Sequence, residues 1–211
     1  MSCWALIPVK APGLGKTRLA RALAPDEREA LVCAMFRHVL ATARACAAID
    51  RICILGPSRP GLGKGLVRLP DSGSDLNRAL GSALGAIATT GPDRVVVLPA
   101  DLPCLTTADI DRLASLPAGV VGVAPDRHGT GTNALSLTLP ETIWFPFSFG
   151  EESYSRHCDE TKKLGLTVET ILSGALEKDI DEPADLPDAE HLLSAVSLLR
   201  QPIAKGRRRL A

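Results

Sequence analysis

The sequence predicts a single α/β domain in which a mostly parallel sheet is covered by helices. Short β-branched or aliphatic runs alternate with longer alanine- and leucine-rich stretches, the pattern of strands joined by covering helices. The run 94–98 is apolar after its first residue, as in a strand covered on both faces, and we place it at the sheet centre. With 211 residues, of which 45% are hydrophobic, the chain can bury one core. We assign residues 1–200 to the domain and 201–211 to a basic tail.

Proline and capping residues delimit the elements of the first half. A strand at 5–9 ends in the loop 10–15, and a helix follows from about residue 25 to residue 48, since Pro25 suits a first-turn position. Asp75 is a candidate N-cap for a later helix. Three further elements are predicted in this half, two strands and that helix: 51–55, 66–69 and 76–88.

The second half continues the alternation of strands and helices. Either Thr106 or Thr107 caps a helix that reaches about residue 116. The strand predicted at 133–139 alternates in polarity, and its direction, parallel or antiparallel, stays open. The remaining predictions are a strand at 119–124, an aromatic and glycine segment at 144–150, a helix at 153–164, an extended stretch at 166–169 and helix from residue 183 onward.

Charge and composition exclude several classes of partner. Lysine plus arginine equals aspartate plus glutamate at 24 each, so no net field attracts nucleic acid or an anionic membrane. No apolar run approaches the roughly 20 residues that span a membrane, and the start does not resemble a signal peptide. The six cysteines include no CxxC pair, which favours core thiols over disulfides or zinc ligands. We therefore expect a cytoplasmic protein that binds small molecules.

A glycine- and lysine-rich loop follows the first strand. Its backbone N–H groups can converge on an anion, which makes phosphate the natural ligand. A Walker A loop would need glycine at the position of Lys10, so that interpretation weakens. Lys10, Lys16 and Arg18 remain able to surround a triphosphate, unless the segment is only a solvated surface turn.

Two acidic segments are candidates for a shared metal site. Asp101 lies just beyond the carboxyl end of the central strand, where open α/β sheets bind ligands. Asp179 and Asp181 would point to the same side of an extended segment. Magnesium usually takes one or two protein carboxylates, so Asp101 with Asp181 would suffice, although each aspartate alone could be a cap or turn residue.

A third region offers contacts for an anionic acceptor. The loop 125–133 supplies donors and hydroxyls, and the segment 147–157 places Gly150 and Ser153 before a helix N-terminus that favours anions. Arg156 and His157 add candidate cationic contacts, although His157 alone is read as structural. His128 is read as a loop histidine, because a phosphate nucleophile needs no base.

Six segments occur in order and carry a family resemblance: PVKAPGLGKTRLA near the start, DLNRAL at 75–80, LPADLPCLTTADI at 98–110, APDRHGTGTNAL at 124–135, FGEESYSRH at 149–157 and DIDEPADL at 179–186. Over about residues 4–187 the chain resembles the phospholactate and phosphoenolpyruvate guanylyltransferases of deazaflavin coenzyme F-420 biosynthesis, within the MobA-like nucleotidyltransferases. The GKTRLA and GTGTNAL segments are the specific ones. LPADLP and DIDEPADL also occur in related transferases.

The resemblance implies a fold, a reaction and roles for individual residues. The fold is Rossmann-like, of the nucleotide-diphospho-sugar-transferase type, and the reaction uses GTP and magnesium to make a guanylated phospho-acid and pyrophosphate. Lys16 and Arg18 would contact the triphosphate, and Asp101 and Asp181 the metal. The implied phospho-acid contacts are Thr132, Gly150 and Ser153. The implied nucleotide contacts are Pro8, Val9, Lys10, Gly15, Lys16, Asn77 and Pro99.

Several alternatives stay open at this point. Family acceptors include 2-phospho-L-lactate, phosphoenolpyruvate and 3-phospho-D-glycerate, and no residue in the sequence chooses among them. The departures from the common family pattern are His128 in the acceptor loop and the basic tail. Rival functions are a related transferase with CTP or a molybdopterin acceptor, and a non-catalytic nucleotide-binding regulator. The sequence also leaves open whether the chain forms a homodimer.

Overall fold

The computed structural model describes residues 1–13, 15–57, 63–70 and 75–194 and contains one seven-stranded sheet. The strands are β1 (Cys3–Pro8), β2 (Arg51–Leu55), β3 (Leu66–Leu69), β4 (Arg94–Val97), β5 (Val120–Pro125), β6 (Thr132–Thr138) and β7 (Thr167–Thr170). The α-helices are α1 (Pro25–Ala45), α2 (Leu76–Ala88), α3 (Thr107–Ala114) and α4 (Ser153–Lys163). Two 3₁₀ helices, Thr17–Arg21 and Pro183–Ala189, complete the described elements.

The strand order is β3-β2-β1-β4-β6-β5-β7, which places β4 in the middle as predicted. Every neighbouring pair is parallel except the two pairs made by β6, which is antiparallel to both β4 and β5. The mostly parallel sheet is therefore confirmed, and the open direction of the 133–139 strand is antiparallel. The chain leaves β1 toward β2 and returns to β4 on the other side of β1, so a topological switch lies between β1 and β4.

Helices cover both faces of the sheet because strand residues alternate between two apolar layers. Along β1, Ala5 and Ile7 pack with α1 and α3, whereas Trp4 and Leu6 pack with α2 and α4. A smaller third cluster joins the two 3₁₀ helices to α1. Its members are Leu19, Leu31, Met35, Ile180 and Ala189, all buried.

Most predicted element boundaries hold to within a residue or two. Asp75 caps α2 by accepting hydrogen bonds from the backbone of residues 77 and 78, and Thr106 caps α3. The predicted helix 25–48 was too long, because the backbone turns extended at Cys46, whose thiol donates to Asp111. The segment after Pro183 begins as a 3₁₀ helix before residues 190–194 become α-helical. The basic tail predicted at 201–211 lies outside the described residues.

The central strand begins with a fully buried arginine that the apolar pattern did not reveal. The Arg94 guanidinium donates to the carbonyls of Leu116, Pro117 and Val120 and to the hydroxyl of Ser136. These bonds tie β4 to β6 and to the turn before β5, and they offset the cost of burying the cation. Burial lowers the pKa of Arg94.

Two compositional expectations can also be compared with the described residues. All six cysteines are free, and four of them, Cys3, Cys46, Cys53 and Cys158, are buried in the core. The interpretation as core thiols is confirmed for these four, whereas Cys33 and Cys104 are only partly buried. Among the described helices, none combines the length and the apolar character that crossing a membrane requires.

Candidate active site

A cavity of about 640 Å³ opens at the carboxyl edge of the parallel strands, beside the switch between β1 and β4. Open α/β sheets bind ligands at this position, and the volume is within the usual range for ligand sites. The lining residues come from eight parts of the chain: Pro8, Val9, Lys10, Gly15, Lys16, Thr17, Arg18, Val32, Met35, Leu55, Leu76, Ala79, Leu80, Pro99, Ala100, Asp101, Thr132, Asn133, Phe149, Gly150, Asp179 and Asp181.

The glycine-lysine loop forms one wall of the cavity. Lys16 has a left-handed backbone conformation, with φ of 55° and ψ of 44°, which is uncommon for a residue with a side chain. Its carbonyl accepts the first hydrogen bond of the 3₁₀ helix Thr17–Arg21, and Leu19 anchors that helix in the core. The turn therefore aims the Lys16 side chain back toward the sheet edge.

The Lys16 ammonium bridges the two aspartates that the sequence singled out. Its Nζ lies 2.6 Å from Asp101 Oδ2 and 2.8 Å from Asp181 Oδ1, and the Lys16 side chain is only 9% exposed. Burial alone would lower the pKa of Lys16, but the two carboxylates outweigh it and raise the pKa. Burial alone would raise the pKa of Asp181, but the charge and the hydrogen bond of Lys16 outweigh burial, and the pKa of Asp181 is lowered.

A supporting network holds the segment that carries Asp181. The backbone N–H groups of Asp181 and Glu182 donate to Asp185 Oδ2, at 2.9 and 2.8 Å. Arg127 pairs with Asp185 at 3.2 Å and donates to the Asp179 carbonyl. Between the two cavity-facing aspartates, Ile180 is buried in the third apolar cluster. The alternation predicted for this segment is therefore present, although it belongs to no strand.

Asp179 also faces the cavity, but its surroundings differ from those of Asp181. Its carboxylate accepts a 3.2 Å hydrogen bond from Asn133 Nδ2, which also donates to the Leu176 carbonyl. Burial, reinforced by the nearby charge of Asp101, raises the pKa of Asp179. Lys16 contacts Asp181 and not Asp179, so Asp181 is the better-placed partner of Asp101.

The donor set fits a small divalent cation of the magnesium type. Two carboxylate oxygens already share one positive charge, the Lys16 ammonium, which stands in for a cation at this position. Magnesium needs only one or two protein carboxylates and completes its shell with water and phosphate oxygens. Within residues 1–13, 15–57, 63–70 and 75–194, no cluster of three His, Cys, Asp or Glu residues forms a closed metal site. An open site of two carboxylates is what the geometry offers.

Two of the three residues assigned to the acceptor line the same cavity. Thr132 opens β6, and Gly150 has φ of 124°, a conformation that favours glycine. Both line the cavity, whereas Ser153 is buried at the start of α4 and its N–H donates to the Gly150 carbonyl. Ser153 thus lies behind the lining, next to Gly150.

His157 is buried directly behind this acceptor side. Its Nδ1 lies 2.9 Å from Thr132 Oγ1, and its Nε2 accepts a 2.9 Å hydrogen bond from the backbone N–H of Ser148. Burial lowers the pKa of His157 to about 4. The side chain is therefore neutral near pH 7, which agrees with the structural interpretation of His157 and not with the alternative of a cationic contact. His128, in contrast, lies on an exposed turn capped by Asp126.

Asn77 does not line the cavity, although it lies close to it. Its side-chain amide donates to the Phe149 carbonyl at 3.1 Å and accepts from the Phe149 N–H at 2.7 Å. This reciprocal pair holds Phe149 in the cavity wall. A contact between Asn77 and the nucleoside stays a prediction.

The other predicted site residues surround the same cavity. Arg18 is mostly exposed at its mouth and lies 3.9 Å from Glu182. Pro8, Val9, Lys10, Gly15 and Pro99 all line the cavity. Sequence reasoning missed the apolar wall of Leu76, Ala79 and Leu80 and the amide of Asn133. Within the quoted motifs DLNRAL and GTGTNAL these residues were present, but nothing local distinguished them from core positions.

The neutral state of His157 leads to a prediction about stability. The unfolded chain binds a proton near pH 6.5, but the folded chain does so only near pH 4, so stability is lost as pH falls through that window. The loss attributable to His157 is about 3 kcal/mol. Chemical denaturation at pH 7 and pH 4.5 should show that His157→Gln loses less stability than wild type. His128→Gln is the control and should lose as much unfolding free energy between the two pH values as wild type. An equal loss in all three proteins would contradict the burial argument.

Known proteins share both the sequence and the fold. The chain is 39% identical over 185 residues to the phosphoenolpyruvate guanylyltransferase of Chloroflexus aurantiacus, covering 84% of this chain and 89% of that protein. It is 34% identical over 184 residues to the 2-phospho-L-lactate guanylyltransferase of Natrialba magadii, covering 81% and 76%. A crystal structure from Desulfovibrio desulfuricans G20, assigned to the nucleotide-diphospho-sugar transferases, has a TM-score of 0.65 at 18% identity and covers 93% of this chain and 99% of that chain.

The fold, the site and these relatives define an enzyme of the nucleotidyltransferase class. Its sheet is the Rossmann-like sheet of the nucleotide-diphospho-sugar transferases, as the resemblance implied. The family model described as "Guanylyl transferase CofC like" matches residues 3–193, and the chain belongs to that family. The family resemblance stated from the six segments is confirmed.

Proposed function

We propose that the enzyme transfers GMP from GTP to a small phosphorylated acid and releases pyrophosphate. Phosphoenolpyruvate is the first candidate acceptor, because the Chloroflexus aurantiacus relative is named for it. The second candidate is 2-phospho-L-lactate, after the Natrialba magadii relative. We place the reaction in coenzyme F-420 biosynthesis, following the sequence resemblance.

One observation carries the proposal. Lys16 Nζ contacts both Asp101 and Asp181 in the lining of the cavity, so a cationic turn and two carboxylates meet at one site. Nucleotidyl transfer needs this combination, because it joins two anions and expels a third. Thr132 and Gly150 line the same cavity and would supply the contacts to the acceptor.

The cavity divides naturally between the two substrates. The apolar wall made by Leu76, Ala79 and Leu80 suits the flat face of a purine base, and the loop with Lys10 and Arg18 suits its phosphates. Thr132 and Gly150 would contact the phosphorylated acid. Both substrates then meet beside Asp101.

Positioning and charge neutralisation perform the chemistry in this proposal. A phosphate oxygen of the acid attacks the α-phosphorus of GTP, and the bond from that phosphorus to the bridging oxygen breaks. The electron pair leaves on pyrophosphate, whose charge Lys16 and Arg18 neutralise. A phosphate nucleophile at neutral pH has no proton that must be removed, so no general base is required.

Asp101 and Asp181 would hold magnesium, which supplies positive charge between the two reacting phosphates. The Lys16 ammonium occupies the same carboxylate oxygens. With magnesium at these oxygens, Lys16 would contact the phosphates and not the two aspartates.

A substrate matrix tests the proposed function. The purified protein is incubated with magnesium, one of GTP, CTP or ATP, and one of phosphoenolpyruvate, 2-phospho-L-lactate or 3-phospho-D-glycerate. We expect pyrophosphate release that requires both GTP and an acid, and a product mass equal to the acid plus GMP less water. Preference for CTP would contradict guanylyl transfer. Orthophosphate release without any acid would instead support a nucleotide-binding regulator.

A further inference from the structure

A buried histidine, His157, lies behind the residues assigned to the acceptor and has no role in the proposed chemistry. His157 is fully buried, and its ring packs against Phe145 and Phe149, with centroids 5.8 and 5.0 Å away. It contacts Thr132 directly, lies one helical turn after Ser153, and binds the backbone two residues before Gly150. Of the three residues assigned to the acceptor, Thr132 therefore contacts the imidazole directly, and Gly150 and Ser153 belong to segments that are joined to it.

The hydrogen bonds of His157 determine which ring nitrogen carries the proton. A backbone N–H can only donate, so the contact from Ser148 requires a lone pair on Nε2. A neutral imidazole has one N–H, which must then be on Nδ1. The contact between Nδ1 and Thr132 Oγ1 is accordingly a donation from the histidine to the threonine hydroxyl.

This donation decides what the Thr132 hydroxyl can do. Its oxygen uses an acceptor position on His157, which leaves its own proton to be donated elsewhere. Thr132 lines the cavity although it is only 6% exposed, so a ligand in the cavity is the partner within reach. A hydroxyl held as a donor favours an anionic oxygen over a neutral donor group.

We propose that His157 is a positioning residue that fixes the Thr132 hydroxyl as a hydrogen-bond donor to the phosphate or carboxylate of the acceptor. The inference rests on the proposed function, since it assigns the anion to the acceptor acid. The histidine acts only through Thr132 and does not touch the substrate. A positively charged His157 would lose the contact with Ser148, because its Nε2 would then be a second donor facing an N–H.

Two substitutions of His157 separate the two nitrogen positions. The amide of His157→Asn reaches the place of Nδ1 and can still donate to Thr132, whereas the amide of His157→Gln reaches the place of Nε2 and can still accept from Ser148. Steady-state kinetics should give a KM for the acid that rises on the order of tenfold in His157→Gln and much less in His157→Asn. The KM for GTP should stay near the wild-type value in both. Equal changes in both variants, or an equal rise in the two KM values, would overturn the positioning role.

A double-substitution cycle checks that His157 acts through the threonine. Thr132→Val removes the hydroxyl and should raise the KM for the acid by itself. In that background, His157→Gln should add little further change, because the group that it orients is already gone. Additive effects of the two substitutions would overturn the proposal. Thermal unfolding of each variant shows whether it is folded before its kinetics are compared.

A measurement on the wild-type protein separates this inference from the proposed function. Imidazole ¹⁵N chemical shifts should show His157 protonated at Nδ1 and unprotonated at Nε2 throughout pH 5–8, with no substrate present. The opposite tautomer would overturn the positioning role even if the enzyme is an active guanylyltransferase. If the tautomer is as expected but no acid and nucleotide pair reacts, the proposed function fails and the assignment of the anion to an acceptor acid fails with it.

Discussion

Asp101→Asn is expected to lower kcat by about a thousandfold or more while the protein stays folded. The substitution keeps the size of the side chain but removes the charge that would hold a divalent cation between two anions. The side chain is 30% exposed and Asp181 still pairs with Lys16 in the variant, so the protein should stay folded, with a lower thermal unfolding midpoint because the buried Lys16 loses one of its two partners. Pyrophosphate release with GTP and the best acid measures the effect.

A matched control shows whether the loss of activity in Asp101→Asn is specific to that position. Asp159→Asn removes an equivalent carboxylate from the exposed face of α4, where Asp159 pairs with Lys162. It should have near wild-type kinetics. If Asp101→Asn also retains near wild-type activity, Asp101 has no part in metal binding, and the proposed site loses one of its two ligands.

Lys16→Gln is expected to lower kcat/KM for GTP on the order of a hundredfold. The substitution removes a buried cation that, in the proposed reaction, neutralises the leaving pyrophosphate. It also leaves Asp101 and Asp181 side by side without the charge that they now share. Binding of Mn²⁺ measured calorimetrically without nucleotide should therefore tighten in this variant, because the metal no longer competes with an ammonium group.

The two readouts of Lys16→Gln move in opposite directions, which distinguishes a specific role from general damage. A misfolded site would weaken both catalysis and metal binding. Lys163→Gln, on the exposed face of α4, is the control and should change neither. Unchanged kinetics in Lys16→Gln would remove Lys16 from the reaction, and weaker Mn²⁺ binding would mean that the ammonium does not occupy the metal position.

Features specified by neighbouring residues could be predicted from the sequence. Asp75 before α2 and Thr106 before α3 are capping residues followed by an amphipathic pattern, and their hydrogen bonds span only two or three residues. The run 94–98 predicted a central strand because a strand covered on both faces has no polar alternation. The position of Asp101 after that strand located the site, since ligands bind at the carboxyl edge of such sheets.

Features that depend on distant packing could not be predicted in the same way. Lys16 meets partners 85 and 165 residues away. The residues suggested a metal site for Asp101 and Asp181 and a phosphate contact for Lys16, but no local signal predicted that Lys16 would bridge the two aspartates. Nothing next to His157 in the chain indicates that Thr132 and Ser148 will surround it. In the sequence, Arg94 resembles an exposed residue at the start of a strand, and only the structure shows that the carbonyls of Leu116 and Pro117 accept its hydrogen bonds.

The paired hydrogen bonds between Asn77 and Phe149 join two walls that are 72 residues apart in the chain. The Asn77 amide bonds both the backbone N–H and the carbonyl of one residue, Phe149, so helix α2 and the segment that carries Phe149 cannot separate without breaking two hydrogen bonds together. Aspartate in this place would lack the donor, and glutamine would be one methylene too long. The helix that carries Leu76, Ala79 and Leu80 is thereby coupled to the segment that carries Gly150, and a displacement of either one would be transmitted to the other.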